Sequence, residues 1–556
     1  MKPPEDYPGG VPLSIKYPEI ALYEFWRNSA RKFPRRPAVW YLGREHTYGE
    51  LWDQSLRLAH SMKQRGIGKG SRVALLLPNT PHFPVAYNAT LLLGATAVLL
   101  NPLQKPEELG QQLKETGAEM LITLDRLLGA LPSNHPPLVL GKATQYAAPH
   151  LRALDALTTH REKKGESFNS LLRGERLREP AVINPREDEA VVLYTSGTTG
   201  RPKGVVLTHY ALVANALQSY YWLRGWGYSP KPQPRGYPVV VCSVPFFHSY
   251  GLVVFNEAVS FGCLMALLPK PDAEKIMETT QRLRATHLPT IPLFIKEMLN
   301  HPKLREYDLT SLTHCSTGGS SIRAEYIQRL EEVVKTRVYQ GYGLTEMGPT
   351  ISATPVEGPP KYGSVGLPYP DTQVKIVDIK TREFELPPGE VGEIVVKGPQ
   401  MMKGYLGDPQ ATLDTIRGGW LYTGDVGFLD EEGYLYVLGR KRDRIVAGGH
   451  AVWPTKVEAV LEKHPKVERA VAIGAPDPLR CATDLQAVVV PRETPPGDAL
   501  EKELIQHCKE NLEEFEVPSR IIFKDALPLN QRGEVDRMKV SQAVEEEVWS
   551  RLQRQP

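Results

Sequence analysis

The run Tyr194-Thr-Ser-Gly-Thr-Thr-Gly-Arg-Pro-Lys-Gly204 places four hydroxyls, on Thr195, Ser196, Thr198 and Thr199, beside Gly197, Gly200, Gly204 and Lys203. Glycines let backbone N–H groups close on an anion, hydroxyls add donors, and a lysine adds charge. That chemistry suits a polyphosphate. The spacing is neither a Walker A loop nor a dinucleotide fingerprint. An isolated Gly/Thr tract is more often a surface loop. This one follows the apolar run 190–193 and closes on Pro-Lys-Gly, which favours an anion cradle.

Four more groups could do chemistry. Gly341-Tyr-Gly-Leu-Thr-Glu346 offers a hydroxyl and a hard carboxylate, a suitable magnesium ligand where phosphates share the ion. Read alone, it is a Gly-rich turn whose Glu favours a helix N-terminus. Asp425, in Tyr-Thr-Gly-Asp, could accept two hydroxyls of a sugar or simply satisfy its own turn. Phe246, Phe247, His248, Tyr250 and Gly251 form an aromatic patch with one imidazole. For the two phenylalanines a core role is as good a reading as a pocket wall, and for Trp222 and Trp226 a core role is the better one. Gly448-Gly449-His450 follows the basic run Lys441-Arg-Asp-Arg444.

The elements that hold these groups can be read from periodicity. Residues 51–63 have helical spacing. Residues 72–77 and 95–100 read as buried strands ended by Pro78-Asn79 and Asn101-Pro102. Helix 107–116 and strand 119–123 follow, a βαβ rhythm that predicts parallel sheets. Residues 159–168 and 228–238 read as loops. From 372 to 397 short alternating strands replace the rhythm, and 433–438 is one more strand. Past Gly439 the pattern restarts with helix 454–463, strands 467–473 and 485–490, helix 499–513 and strand 520–523. The fold class is α/β. We expect a large N-terminal domain, 1–440, of parallel βαβ sheets with a β-rich subdomain at about 365–438. A small mobile C-terminal α+β domain, 441–556, follows a hinge near 440–444.

Composition narrows the partners. A chain of 556 residues is too long for one ordinary core. A net charge of +3 gives no argument for nucleic acid, though a local basic patch stays open. Five cysteines without a CxxC pair suggest neither a disulfide framework nor zinc, and fit a reducing cytosol. The start lacks a signal peptide's apolar stretch, and the apolar run 91–100 is too short to span a bilayer. A cytoplasmic protein is expected, with peripheral membrane contact and the choice of monomer or homodimer left open.

Seven strings, in one order, resemble the adenylate-forming superfamily: YTSGTTGRPKG, PFFHSYG, STGGSSI, GYGLTE, YTGD, GRKRDRIVAGGHAVWPTKVE and VPSRIIFKDALPLNQRGEVDR. The opening, TYGELWDQSLRLAHSMKQRGIGKGSRVALLLPNTPHF, is similar too. The look is nearest to fatty-acyl-CoA synthetases. The resemblance implies an ATP-dependent acid–CoA ligase that makes an acyl-AMP and passes the acyl group to coenzyme A, with Mg²⁺. It implies that Thr195, Ser196, Gly197, Thr198, Thr199, Gly200 and Lys203 hold phosphates and that Thr195 and Glu346 serve the metal. Tyr342 would stack on adenine near Ser316, Gly319, Ser320, Gln340 and Gly341. Thr345 would donate to the α-phosphate, and Asp425 and Arg440 would face the ribose. Phe247, His248, Tyr250 and Gly251 would flank the acyl group. Gly448, Gly449 and His450 would line the pantetheine channel, and Asp443 would be the hinge.

One position departs. The closing P-x-x-x-x-G-K-x-x-R pattern is matched by Pro528, Gly533 and Arg537, but its lysine is Glu534. In the family that lysine bridges carboxylate and α-phosphate. A glutamate there repels both. Another cation could substitute, with Arg532 close by and Lys524 and Lys539 off register. The protein could instead run only a later half-reaction, or act as an acyl- and nucleotide-binding module. The presence of the other site residues favours a working ligase. Luciferase-like chemistry stays open. A peptide-synthetase module is disfavoured, because only about twenty residues follow Arg537, too few for a carrier domain.

Overall fold

Aliphatic runs without polar interruption make strands buried on both faces, as parallel sheets require. Two such sheets fill the first part of the computed structural model, which describes residues 7–158, 165–195, 202–224, 234–355, 360–447, 450–477, 482–493, 498–529 and 535–552. The chain forms two compact units. One holds Met1–Val374, Val396–Leu421 and Glu432–Leu435; the other holds Lys375–Val395, Tyr422–Glu431 and Tyr436–Pro556.

In the first unit, Leu138–Gly141, Met120–Leu124, Arg72–Leu76, Thr96–Leu99 and Glu189–Tyr194 lie side by side in parallel. At the edge Glu189–Tyr194 turns back into antiparallel Gly204–Thr208, which then takes Gly404–Tyr405 as its outer partner. A second, nine-stranded sheet has the parallel centre Leu264–Leu267, Val239–Cys242, His287–Thr290, His314–Thr317 and Val338–Gly343. Antiparallel Thr350–Ala353 and Leu367–Pro368 close one edge, and Pro37–Tyr41 with Arg44–Thr47 close the other.

The helix at Tyr48–Lys63 starts at a reciprocal cap: Thr47 takes the Glu50 N–H and Glu50 takes the Thr47 N–H. The helix Ser249–Phe261 ends where Gly262 adopts φ +66°. Residues 91–100, read from sequence as apolar run and strand, divide between the end of the helix His82–Leu92 and the strand Thr96–Leu99. Among the described residues, no helix is long and apolar enough to cross a membrane.

The alternating stretch after 372 becomes a five-stranded sheet in the order Gln373–Val377, Gly392–Lys397, Trp420–Leu429, Ile416–Arg417, with Leu435–Arg440 paired to Trp420–Leu429. Further on, Val467–Asp477 runs antiparallel to Ala482–Pro491, which runs parallel to Arg520–Phe523. Strand alternation sorts these residues onto two faces. Ala470, Ala472, Ala487 and Val489 pack under the helices Pro454–Leu461 and Asp498–Asn511. Val471, Ile473, Val488 and Val490 pack against Val540 and Val544 of the last helix, Arg537–Leu552. The α/β class, the parallel sheets and the β-rich stretch are those the sequence predicts.

Candidate functional site

In open α/β sheets, ligands sit beyond the carboxyl ends of parallel strands. The singled-out motifs of the first unit all begin there. Thr195 follows Glu189–Tyr194, the PFFHSYG turn follows Val239–Cys242, Gly318 to Ser320 follow His314–Thr317, and Thr345 follows Val338–Gly343. Ser196 to Gly200 lie outside the described residues. Their two flanks are stitched together: the Thr195 N–H donates to the Lys203 carbonyl at 3.0 Å, and the Lys203 N–H donates to Thr195 Oγ1 at 3.1 Å.

Tyr405 joins Lys203 to the metal candidate. It pairs with Val205 across the sheet edge, and its ring lies under Lys203 Nζ, 4.8 Å from the centroid. Its hydroxyl donates to Glu346 Oε1 at 2.8 Å, and the Met402 N–H donates to the Glu346 carbonyl. Lys203 and Glu346 therefore flank one tyrosine ring. Tyr405 escaped the sequence reading. Its signal is a two-residue strand far along the chain, visible only once the sheet is assembled.

Thr345 Oγ1 stands 3.5 Å from Ser249 Oγ at the start of the helix Ser249–Phe261. The next residue, Tyr250, meets Ser316 Oγ at 3.1 Å, and burial raises its phenol above the ordinary range. The loop before this helix is pinned by Asn79, also missed. Its Nδ2 donates to the Cys242 and Val244 carbonyls, and its Oδ1 accepts from the Phe246 N–H. Gly251 is a steric necessity, since a Cβ there would lie 2.0 Å from the Pro245 carbonyl oxygen. Phe246 is fully buried against Phe83 and Phe255, so it is core. Trp222 is core as well, its indole N–H donating to the Thr354 carbonyl. Phe247 and His248 keep accessible surface. Trp226 lies outside the described residues.

Gln340, Gly341 and Tyr342 sit on the strand Val338–Gly343. The Gln340 N–H donates to Thr354 Oγ1, and Gly341 and Tyr342 pair with Ala353 and Ser352. Gly318 approaches the Gly341 carbonyl so closely that an added Cβ would stand 3.1 Å away. Gly319 takes φ +86°, and Ser320 is partly buried.

In the second unit, Asp425 is 4% exposed and pairs with Arg440, Nε to Oδ1, at 2.9 Å. The Asp425 N–H donates to Thr423 Oγ1, and Arg440 also donates to the Thr423 carbonyl. The two ribose candidates thus meet each other. Next to them Lys441 donates to Glu393 at 2.8 Å and to the Ile379 carbonyl. Glu393 is fully buried and also accepts two hydrogen bonds from Arg382. Burial alone would raise its carboxyl, but Arg382 and Lys441 together bring it below the ordinary value. Asp443 closes the short turn Lys441–Asp443 and pairs with Arg442 at 3.3 Å.

Gly448 and Gly449 lie outside the described residues; the strands Ile445–Ala447 and His450–Val452 pair antiparallel. Glu534 also lies outside the described residues. Among the described residues near it, Leu529 and Val535 form an antiparallel bridge, and the Asp536 N–H donates to the Pro528 carbonyl. Arg537 is held by both carboxylate oxygens of Glu458 and donates to the Ala472 carbonyl.

A divalent ion was expected at Glu346. Among the described residues there is no group of three or more His, Cys, Asp or Glu that could cage a metal. A single carboxylate, one oxygen of which takes the Tyr405 hydroxyl, suits Mg²⁺ shared with substrate phosphates and suits zinc poorly.

A family model described as AMP-binding enzyme matches residues 26–406, and one described as AMP-binding enzyme C-terminal domain matches residues 456–534. Long-chain-fatty-acid–CoA ligase of Bacillus subtilis (strain 168) is 34% identical over 559 residues, covering 96% of both chains. The enzyme of the same name from Salmonella typhimurium (strain LT2) is 31% identical, again covering 96% of both. Among solved structures, ATP-bound MatB from Rhodopseudomonas palustris matches with a TM-score of 0.80 at 26% identity, over 94% of this chain and 99% of that one. o-Succinylbenzoate CoA synthetase (MenE) from Bacillus subtilis, with the acyl-adenylate intermediate OSB-AMP, matches at 0.75 and 28%, over 93% and 97%.

Proposed function

The chain belongs to the AMP-binding enzyme family, and on that premise we propose that it is an ATP-dependent acid–CoA ligase whose acid is a fatty acid. A carboxylate is a poor electrophile because its charge repels nucleophiles. Its oxygen attacks the α-phosphorus of ATP, the bond to the β,γ-unit breaks, and pyrophosphate leaves. The coenzyme A sulfur then attacks the carbonyl carbon of the acyl-AMP, the thiol proton passes to solvent, and AMP leaves.

The observation that carries this reading is the flanking of the Tyr405 ring by Lys203 and Glu346, directly after the loop that Thr195 closes. Cation, carboxylate and Gly/Thr loop together suit a metal-bound polyphosphate. Thr195, Lys203 and residues 196–200 take the phosphates, and Thr345 donates to the α-phosphate. Glu346, oriented by Tyr405, with Thr195, takes the Mg²⁺, which neutralises phosphate charge. Tyr342, Gln340, Gly341, Gly319 and Ser320 take the adenine; Asp425 and Arg440 take the ribose hydroxyls. Phe247, His248, Tyr250 and Gly251 take the acid's reactive end. Gly448, Gly449 and His450 guide the thiol, and the chain divides functionally at 440/441, with Asp443 as hinge.

A panel of fatty acids with ATP and coenzyme A, scored separately for pyrophosphate and thioester, tests the proposal. Both products are expected from at least one acid. Nucleotide binding without either product would make the protein a binding module. Glu534 favours one second reading, in which supplied acyl-AMP gives thioester but free acid gives no pyrophosphate.

A further inference from the structure

Four stretches of the first unit meet at one buried point: the helix His209–Arg224, the start of the strand Thr350–Ala353, residues 370–372 and residues 400–402. Three carboxamides join them, on Asn215, Gln218 and Gln400, and all three residues are fully buried. Asn215 accepts the Thr350 N–H at 3.2 Å and donates to the Thr350 carbonyl and to Gln218 Oε1, both at 3.1 Å. Gln218 donates to the Pro370 carbonyl at 2.6 Å and to Gln400 Oε1 at 3.2 Å. Gln400 donates to the Thr350 carbonyl at 3.1 Å and to Thr372 Oγ1 at 2.8 Å. Every nitrogen and oxygen of the three side-chain amides has a partner. A buried polar network with all its bonds made holds its members rigidly.

What this network holds is the metal candidate. Gln400 opens a stretch that runs alongside the turn Thr345–Met347 and the residues just after it. The Gln400 carbonyl lies so near Gly348 that an added Cβ would stand 3.0 Å from it. Two residues on, the Met402 N–H donates to the Glu346 carbonyl at 2.8 Å, and Tyr405 then reaches Glu346 Oε1 at 2.8 Å. Main chain and side chain of Glu346 are thus both set by this stretch. Its far end is fixed by the pairing of Gly404 and Tyr405 with Val206 and Val205, and its near end by Gln400. Mg²⁺ tolerates little departure from octahedral coordination, so a carboxylate that serves it has to be held in place. Groups that orient a metal ligand typically change metal affinity by about ten- to a hundred-fold when removed.

We propose that Gln400 is a positioning residue for the metal-bound nucleotide. Anchored by Asn215 and Gln218, it locks the turn that carries Glu346 against the stretch that carries Tyr405, and so aims the carboxylate. The inference deepens the ligase reading above and rests on the role given there to Glu346.

The test is the affinity of ATP by calorimetry, without acid, in the presence and absence of Mg²⁺. It compares the wild type, Gln400→Met, Glu346→Gln and the double variant. Methionine keeps the length of the side chain and loses its three hydrogen bonds. Gln400→Met should cut the gain in ATP affinity that Mg²⁺ brings by about ten-fold and leave the metal-free affinity unchanged. In the Glu346→Gln background the same substitution should cost nothing further, because both act through one carboxylate. Thr372→Val takes one bond from Gln400 and should reduce the gain by about three-fold; it decides the matter where Gln400→Met does not fold. Ile295→Val lowers stability from the apolar core of the same unit and should leave the gain as it is. Equal losses with and without Mg²⁺, or a further loss in the Glu346→Gln background, would make Gln400 a general scaffold residue and overturn the proposal. So would a gain that neither Gln400→Met nor Thr372→Val changes. A wild type that gains no ATP affinity from Mg²⁺ removes the metal role of Glu346 and this inference with it, while thioester from the fatty-acid panel would leave the ligase reading standing.

Discussion

By the resemblance in the closing motif, Glu534 holds the place of a lysine expected to bridge two anions. At an effective dielectric of about 20, a unit charge about 4 Å away contributes about 4 kcal/mol, and reversing its sign up to about twice that. Screening by Mg²⁺ and withdrawal of the side chain reduce this, yet a third of it is still about a hundred-fold in rate. Glu534→Lys should therefore accelerate pyrophosphate release by about that factor and change thioester formation from supplied acyl-AMP much less. Fast native adenylation with no gain in the variant would mean that another cation does this work. Asp425 calls for a gentler change than alanine, because Arg440 is already paired to it. Asp425→Asn keeps the shape but weakens a charge-assisted bond, so ATP affinity by calorimetry should drop about ten-fold. An unchanged affinity would remove Asp425 from the nucleotide site. Glu257 predicts a pH effect with a definite sign. Burial raises its folded value to about 8, above the ordinary 4.5, so the folded state binds the proton more tightly. Its contribution to stability is full below about 4.5 and is lost as pH rises through about 8. Urea unfolding of wild type and Glu257→Gln should show the wild type losing ground to the variant between pH 5 and 8. Parallel pH profiles would show the carboxyl to be solvated.

At the scale of elements, positions that sit on local punctuation were legible in the sequence. Pro78-Asn79 and Asn101-Pro102 mark where the strands Arg72–Leu76 and Thr96–Leu99 stop, because Pro restricts what the backbone can do next. The helix His82–Leu92 was not legible. All of its residues are buried, so it shows no apolar stripe and no 3.6-residue period. Tyr405 and Glu393 were missed for a different reason. Each works through a partner that tertiary pairing brings close, Tyr405 to Lys203 and Glu346, Glu393 to Arg382 and Lys441. Gly251 shows what a legible motif conceals: the resemblance marks it as a site residue, while the structure shows why only glycine fits the first turn of its helix. Gly251→Ala should force the Pro245 carbonyl away, lower stability by about 1–3 kcal/mol and cut turnover. A variant with wild-type melting temperature and turnover would show that the loop yields freely.

At the scale of the whole chain, the sequence pattern restarts past Gly439, and a three-stranded sheet with two apolar clusters follows that restart. Both apolar clusters around the strands Val467–Asp477, Ala482–Pro491 and Arg520–Phe523 are drawn from residues between Ile445 and Val544. One face of this sheet is covered by Pro454–Leu461 and Asp498–Asn511, the other by Arg537–Leu552, so among the described residues both clusters are drawn from positions after Lys441. Among the described residues, a cut at 440/441 removes polar bonds: those of Lys441 to Glu393 and to the Ile379 carbonyl, and the Thr455 hydroxyl's bond to the Leu438 carbonyl. Single polar contacts of this kind contribute about 0.5–3 kcal/mol each, against a core typical of a domain of roughly a hundred residues. The fragment 441–556 expressed alone should therefore fold, giving a cooperative thermal transition by circular dichroism and dispersed methyl signals by NMR. Val471→Asp, which puts a charge under the last helix, should abolish both. A non-cooperative melt of the unsubstituted fragment would mean that the boundary lies earlier, and a fragment beginning at Lys375, which restores Glu393, is then the one that should fold.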